Sequence, residues 1–227
     1  MLILPKFEPV YLFVDLLTFA LELRTTFIAP HVIDDLAPLI KRLIDPLLLK
    51  RFRETLKHEP HDTKTGSTAG LSLLYITALG CMCEEKHIVR LWRFLHFDMT
   101  MAAFTPNQQM VDMELMLRLL STSVTKTSFG APAQDENSNH TIFTNILDKL
   151  TLFIVNVPNK PYSVEKYDTA TVASFRIQIL QLFTSMTRSP YAGRLMVQHR
   201  DLIGRLVKLI SDELDVLYDY KPGRDAR

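Results

Sequence analysis

The residue types that bind metals come closest together around Cys81 and Cys83. The two cysteines lie at C-x-C spacing, and His87 follows four residues after the second. A structural zinc site needs four ligands in paired spacings, whereas these are the only two cysteines in the sequence. Cysteines this close in the chain rarely form a disulfide bond, because the geometry is strained. We therefore interpret Cys81 and Cys83 as small apolar residues at a helix end and predict neither a metal site nor a cofactor.

The other groups capable of acid–base chemistry also favour a structural interpretation. His58 and His61 lie in a polar stretch, with no acidic or cysteine partner placed beside them by the sequence. The last helix holds a set of acidic residues at helical spacing next to basic ones, which is typical of a solvated helix face: Asp212, Glu213, Asp215 and Asp219. The sequence has no nucleophile elbow, P-loop, dinucleotide fingerprint or H-E-x-x-H motif. We predict that the chain is not an enzyme.

Basic charge is most concentrated in residues 41–57, with its centre at Lys50, Arg51 and Arg53. Such a patch can contact phosphates or an acidic protein surface. We favour the interpretation that it is the solvent-facing side of an amphipathic helix, whose long basic side chains cover apolar ground. The formal net charge of +1 does not favour strong attraction to nucleic acids or anionic membranes. A nucleic-acid-binding module that uses this patch remains the alternative function.

The composition indicates a helical protein. Of 227 residues, 47% are hydrophobic and 22% charged, and twelve prolines outnumber seven glycines. Sheet-rich folds use more glycine in hairpin turns, and no strong strand pair is visible. No stretch reaches the roughly 18 apolar residues of a membrane span. We predict one all-α domain over residues 1–227, with polar loops near 58–70, 121–141 and 156–168.

Several helix boundaries and core faces can be predicted from local signals. Thr105 can cap a helix that begins at Pro106, with Gln108 completing a capping box. Asp168 can cap a helix over 169–188. The segment 84–101 is predicted as one helix. Buried faces are predicted at Ile88, Leu91, Trp92 and Leu95, at Met110, Met113, Leu117 and Leu120, at Ile142, Ile146, Leu150 and Phe153 or Ile154, and at Val172, Phe175, Ile179, Leu182 and Phe183.

The final helix, predicted near residues 203–220, carries two apolar stripes. The first holds Ile203, Val207, Ile210, Leu214 and Leu217, and the second holds Leu202, Leu206, Leu209, Val216 and Tyr220. In a stack of helix pairs, a helix packs against its own partner and against the next pair. Both stripes are therefore expected to be covered in a HEAT- or armadillo-like stack of antiparallel helix pairs. A plain bundle, or a helix that self-associates through its spare stripe, is the alternative.

Five segments in the second half of the chain carry a family resemblance. They are "MELMLRLLSTSVTKTSFGAP" (113–132), "ILDKLTLFIVNVP" (146–158), "FRIQILQLFTSM" (175–186), "SPYAGRLMVQH" (189–199) and "IGRLVKLISDELDVLYDYKPG" (203–223). Together they resemble fungal members of the ATRIP family, the obligate partner subunits of the ATR-type checkpoint kinase. The preceding residues agree with that family only in being helical.

The resemblance implies a nuclear, non-enzymatic adaptor in the DNA damage response. Its partner would be the ATR-type phosphatidylinositol-3-kinase-related kinase, which links it indirectly to single-stranded DNA coated with RPA. The family's acidic RPA-binding segment and coiled coil are not evident, so we expect a fragment of a longer chain with no direct RPA contact. Tyrosine and arginine often anchor interfaces. The predicted partner-binding residues are Tyr191, Arg194, Tyr218 and Tyr220.

Overall fold

The computed structural model describes Leu16 and the ranges 66–81, 85–95, 97–105, 108–130, 136–160 and 165–219. Within these residues the regular structure is entirely α-helical, as predicted from the composition. From residue 66 onward the described helices are α1 (Gly66–Cys81), α2 (Glu85–Phe94), α3 (Phe97–Ala103), α4 (Met110–Thr122), α5 (Glu136–Val155), α6 (Thr169–Thr187), α7 (Pro190–Gln198) and α8 (Leu202–Asp219).

One layer of the molecule contains α1, α4 and α6, in that spatial order. Helices α4 and α6 run in the same direction, because their N-terminal ends meet: the backbone N–H of Met110 donates to the Tyr167 hydroxyl oxygen at 3.2 Å. One turn further along, the Glu114 carboxylate is hydrogen-bonded by Ser174 of α6. Parallel neighbours within a layer are expected when corresponding helices of successive repeats stack.

A second layer contains α5 and α8, which pack against each other. Helix α5 runs antiparallel to α6. Phe153 near the end of α5 lies beside Phe175 near the start of α6, with ring centroids 6.1 Å apart. At the other end, Phe143 meets Tyr191, just after α6, also at 6.1 Å. The alternation of layers confirms the predicted helical-repeat stack.

The predicted core faces are largely confirmed. The four apolar positions of α2 and its end are buried, and the Trp92 indole N–H donates to the Thr122 hydroxyl of α4 at 3.4 Å. The four predicted positions on α4 are also buried. On α5 and α6, the predicted positions whose side chains the structure describes are buried, except Val172, which is half-buried. The predicted single helix 84–101 is instead two helices, α2 and α3. Nothing in the sequence at Leu95 signals that break.

The capping box predicted at Thr105 is wrong. Helix α4 begins at Met110, with Gln109 as an N-cap that makes no side-chain bond. The Thr105 hydroxyl instead donates to the Ala102 carbonyl at 3.0 Å, and the Thr105 carbonyl accepts from the Gln108 N–H at 3.0 Å. Thr105 is thus occupied in closing the turn after α3, so it cannot start the next helix.

Two other helix caps form, and the first of them was predicted from the sequence. The Asp168 carboxylate accepts from the Thr171 N–H at 3.1 Å, which confirms it as the cap of α6. The Ser189 hydroxyl oxygen accepts from the Ala192 N–H at 3.2 Å and so caps α7. The same hydroxyl donates to the Thr125 carbonyl, which ties the loop after α4 to the α6–α7 junction.

Helices extend into two of the predicted polar loops. Helix α1 starts at Gly66 within 58–70, and α5 starts at Glu136 within 121–141. Once packing supplies the stability, small and polar residues are acceptable in a first turn. Between α4 and α5 the backbone turns at Gly130, whose φ of 67° favours glycine. The described residues of the third predicted loop, 156–160 and 165–168, are free of helix.

Candidate protein-binding surface

Helix α8 is attached to α5 along the first part of its second apolar stripe. Leu202 and Leu209 are buried, and Leu206 is half-buried. These residues recur at the spacing that places them on one face of a helix. The stripe does not stay covered, because Val216 near its far end is exposed.

Polar contacts fix the start of α8 in position around Asp148 of α5. The Arg205 guanidinium donates to the main-chain carbonyl of Asp148 at 3.1 Å, to its carboxylate at 3.3 Å and to the Thr151 hydroxyl. The buried His199, between α7 and α8, places Nε2 3.1 Å from the same carboxylate. Hydrogen bonds to charged groups stabilise by about 1.5–3 kcal/mol. The cluster therefore sets the angle at which α8 leaves the body of the protein.

The first apolar stripe of α8 is uncovered, so the prediction that both stripes are shielded is wrong for the chain alone. We call it the outer stripe; its side chains are between 46% and 68% exposed: Ile203, Val207, Ile210, Leu214 and Leu217. An α-helix turns by about 100° per residue. The centre of the outer stripe therefore lies about 100° around the axis of α8 from the side that packs on α5. The sequence identifies both stripes, but only the packing shows which of them has a partner.

The exposed apolar surface continues onto α6. Ala173 and Thr184 are exposed, Ile177 is 53% exposed and Leu180 is half-buried. These four recur at helical spacing on one side of α6. We call these residues and the outer stripe together the end face. Exposed groups of apolar side chains commonly mark sites of protein association.

A charged pair links α6 to α8. Arg176 of α6 donates through Nη1 to Glu213 of α8 at 2.8 Å. The Nε atom of Arg176 is buried and, among the described residues, has no hydrogen-bond partner. The Glu213 side chain is 56% exposed. The Glu213 carboxylate thus keeps part of its surface available for further contacts.

Helix α7 presents a second surface, which we call the α7 face. Pro190, Arg194, Val197 and Gln198 are exposed, and their spacing places them on one side of the helix. Val197 is 87% exposed. An arginine flanked by apolar side chains is a composition typical of interface anchors.

The four predicted partner-binding residues lie in different surroundings. Arg194 is on the α7 face, and Tyr218 is 85% exposed near the end of α8. Tyr191 is half-buried and packs edge-on against Phe143, which gives its ring a role in the core. Tyr220 lies outside the described residues. The apolar residues of the end face were recognised in the sequence as stripes, but not as a binding site.

Several predicted sites cannot be placed. Lys50, Arg51 and Arg53 lie outside the described residues, as do His58, His61 and Cys83. Of Cys81 only the helical backbone is described. Within the described ranges, no group of three or more His, Cys, Asp or Glu residues is arranged to hold a metal ion. Nor is any helix in those ranges long and apolar enough to span a membrane.

A groove of about 290 Å³ lies where α2, the loop after α4 and the end of α6 meet. Glu85 lines it together with Lys126 and Arg188. Hydrogen bonds from the side chains of Thr125 and Thr127 lower the pKa of the exposed Glu85 carboxyl. The groove thus combines one carboxylate with two cationic side chains, which leaves a small excess of positive charge.

Comparison with known proteins identifies the repeat. The family described as "Rad26-like, helical repeats" matches residues 50–227. The crystal structure of Myceliophthora thermophila Rad26 (residues 373–841) is similar, with a TM-score of 0.73 and 21% sequence identity. The match covers 94% of this chain and 59% of that chain. No curated protein matches the chain.

The family match corrects one expectation from the sequence. The resemblance to the ATRIP family specifically is wrong, because the matching family is that of the Rad26-like helical repeats. The ATRIP and Rad26-like families are related as checkpoint proteins. The segments that carried the resemblance contain helix-forming residues but no motif that separates one of these families from the other. The chain belongs to the family of Rad26-like helical repeats.

Proposed function

We propose that the chain is a non-enzymatic adaptor that docks on an ATR-type checkpoint kinase in the nucleus. Membership of a checkpoint-related helical-repeat family supports this proposal. The two-layered stack of helices also offers extended surfaces for a large protein partner. Through the kinase, the adaptor would be linked to RPA-coated single-stranded DNA.

The α7 face is the proposed docking surface for the kinase. Its exposed arginine between apolar side chains is the observation on which the proposal depends. Its central residue, Arg194, is exposed, while Pro190 and Val197 provide apolar contact on either side. Helix α7 is held rigidly by the Ser189 cap and by packing against α5 and α6. A rigid, partly apolar helix with an arginine loses little conformational entropy on binding.

Retention of this chain by the immobilised N-terminal solenoid of an ATR-type kinase tests the proposal. The wild-type chain should be retained at micromolar concentration, and Arg194→Glu should weaken the affinity about tenfold or more, as for an interface anchor. Arg93→Glu is the matched control, because Arg93 is also exposed but lies on α2. If the folded wild-type chain is not retained, the proposal is wrong. If both variants weaken binding equally, the α7 face is not the docking surface.

A further inference from the structure

We infer that a groove along the C-terminal halves of α4 and α6 binds an extended, acidic peptide segment of a partner protein. The residues that line this groove belong neither to the α7 face nor to the end face, and the inference does not depend on kinase binding. It rests on the continuity of two cavities, on their charge and on the rigidity of their walls.

Two cavities meet at Ser185 of α6. The first is the groove of about 290 Å³ beside Lys126 and Arg188. The second, of about 380 Å³, is lined by residues of α1, α4 and α6, and Ser185 belongs to its lining as well. We call the two cavities together the basic groove. Both take lining residues from the C-terminal halves of α4 and α6, so the basic groove runs along these two parallel helices.

The basic groove is long enough for an extended peptide. Gln178 lines one of its cavities, and Arg188 lines the other. A helix rises about 1.5 Å per residue, so these two residues are about 15 Å apart along α6. An extended chain advances about 3.3 Å per residue, and about five residues therefore fit along the groove. Stacked helical repeats commonly present extended binding surfaces of this kind.

Positive charge dominates the basic groove. Arg118, Lys126 and Arg188 line it, and Glu85 is the only acidic residue among the described residues that do so. Three cations and one carboxylate give a net charge of +2, in a chain whose formal net charge is +1. Lys126 acts on Glu85 and Arg118 acts on Glu114 only at longer range. The three cationic side chains are exposed, and none forms a salt bridge with a described residue. An acidic peptide complements this charge.

Gln181 offers the polar contact that an extended main chain needs. It is exposed, lines the second cavity, and its side-chain amide bonds to no described residue. A side-chain amide both donates and accepts hydrogen bonds, so it can pair with the N–H and C=O groups of a peptide. The buried Leu117 and Leu182 also line this cavity and provide apolar contact beside the amide.

The wall of the groove that carries Lys126 is held in place by its neighbours. The Thr127 hydroxyl donates to the Glu85 carboxylate at 3.0 Å. The Thr125 carbonyl accepts from the Ser189 hydroxyl. These bonds join the loop after α4 to α2 and to the start of α7. Little further ordering is needed when a ligand binds, which favours affinity.

The lining favours a peptide over a nucleic acid. Proteins bind single strands through aromatic side chains on which the bases stack. Among the described lining residues the aromatic one is Tyr75, which is buried. The Glu85 carboxylate would repel a phosphate backbone, and hydrogen bonds from Thr125 and Thr127 lower its pKa and keep it ionised at neutral pH.

Selection from a displayed library of random peptides tests the inference. Each peptide has about twelve residues, which is more than the groove holds. With the wild-type chain as bait, the enriched sequences should be acidic, because they must complement Arg118 in one cavity and Lys126 and Arg188 in the other. An Arg188→Glu bait should not enrich them. Enrichment of basic or uncharged sequences would overturn the inference, as would the absence of any enrichment by the wild-type chain.

Fluorescence anisotropy of the most enriched peptide, labelled with fluorescein, tests the two cavities separately. Arg118→Glu and Arg188→Glu should each weaken the affinity about tenfold or more, and added salt should weaken binding to the wild type. Arg200→Glu is the matched control and should bind like the wild type, because Arg200 is exposed between α7 and α8 and does not line the groove.

Circular dichroism should show that these variants are folded, since the replaced side chains are exposed. Lys126→Glu, at another exposed position, takes the place of a groove variant that does not fold. An unchanged affinity in a folded groove variant would overturn the inference, as would an equal loss in Arg200→Glu.

Competition with single-stranded oligothymidylate tests the class of ligand. The unlabelled oligonucleotide should not displace the labelled peptide from the wild-type chain. Binding of the oligonucleotide that displaces the peptide and is lost in Arg188→Glu would assign the basic groove to nucleic acids and overturn the inference.

Discussion

Arg205 and Asp148, 57 residues apart in the chain, are joined by two contacts of one guanidinium nitrogen. Nη1 of Arg205 lies 3.1 Å from the main-chain carbonyl oxygen of Asp148 and 3.3 Å from its carboxylate oxygen. The same nitrogen contacts the Thr151 hydroxyl. This cluster connects the first turn of α8 to the middle of α5, and it therefore determines how the end face is presented.

Replacing Arg205 should destabilise the protein. Arg205→Met keeps the aliphatic part of the side chain but removes the donors, and we expect a loss of about 1–3 kcal/mol in the free energy of unfolding. Urea unfolding followed by circular dichroism measures it. Lys208→Met is the control: Lys208 forms an exposed i,i+4 pair with Asp212, and such pairs stabilise by about 0.5 kcal/mol or less. Equal losses in the two variants would show that the Asp148 cluster does not secure α8.

Removing the Ser189 hydroxyl should cost more than removing an exposed one. Ser189 is buried, caps α7 and donates to the Thr125 carbonyl. Ser189→Ala should lower the free energy of unfolding by about 1–2 kcal/mol. Ser211→Ala, at an exposed position on α8, should change it by about 0.5 kcal/mol or less. A Ser189→Ala variant as stable as the wild type would contradict the cap and the loop contact.

The same substitution at two glycines should have opposite effects. Gly204 lies in the first turn of α8, and a Cβ atom added there meets nothing within 4 Å. Gly204→Ala should therefore stabilise by about 0.4–1 kcal/mol, since alanine restricts the unfolded chain. At Gly130, φ is 67° and a Cβ would lie 3.2 Å from the Phe143 ring. Gly130→Ala should be destabilising, and thermal melts of both variants provide the comparison. Destabilisation by Gly204→Ala would mean that its surroundings are not open.

The stability should respond to pH in opposite directions at Glu114 and Asp168. Burial raises the pKa of Glu114 above 4.5, although Arg118 and the hydrogen bonds from Ser174 and Gln178 oppose the shift. Its native state binds more protons, so its contribution to stability is present below pH 4.5 and is lost as the pH rises through the native pKa. Glu114→Gln should flatten this part of the pH profile and stabilise the protein at neutral pH.

At Asp168 the sign reverses. Hydrogen bonds from the side chain and backbone of Thr171 lower the pKa of the Asp168 carboxyl below 3.8. Its contribution is therefore present above pH 3.8 and is lost as the pH falls through the native pKa. Urea midpoints are measured from acid to neutral pH. Glu114→Gln should lose only the decrease in stability with rising pH, and Asp168→Asn should lose only the decrease with falling pH. Loss of the same slope in both variants would contradict the assignment.

The sequence by itself determined what depends on neighbours within a few residues. Helical spacing identified the buried faces of α2, α4 and α6, and the Asp168 cap was recognised because its acceptor lies three residues from its donor. One helix-cap prediction failed because a polar side chain had two possible hydrogen-bond partners nearby. The Thr105 hydroxyl has two backbone groups within reach, and the sequence does not show that it bonds Ala102 rather than the next helix.

The tertiary structure alone decided which surfaces of the helices remain exposed. Both stripes of α8 are mainly apolar, yet Leu202 and Leu209 are buried while Ile203 and Ile210 are not. Likewise, Tyr191 and Tyr218 are the same residue type, but one packs against Phe143 and the other points into solvent. Burial depends on helices that are distant in sequence, such as α5 against α8, and periodicity carries no information about which distant helix arrives at which face.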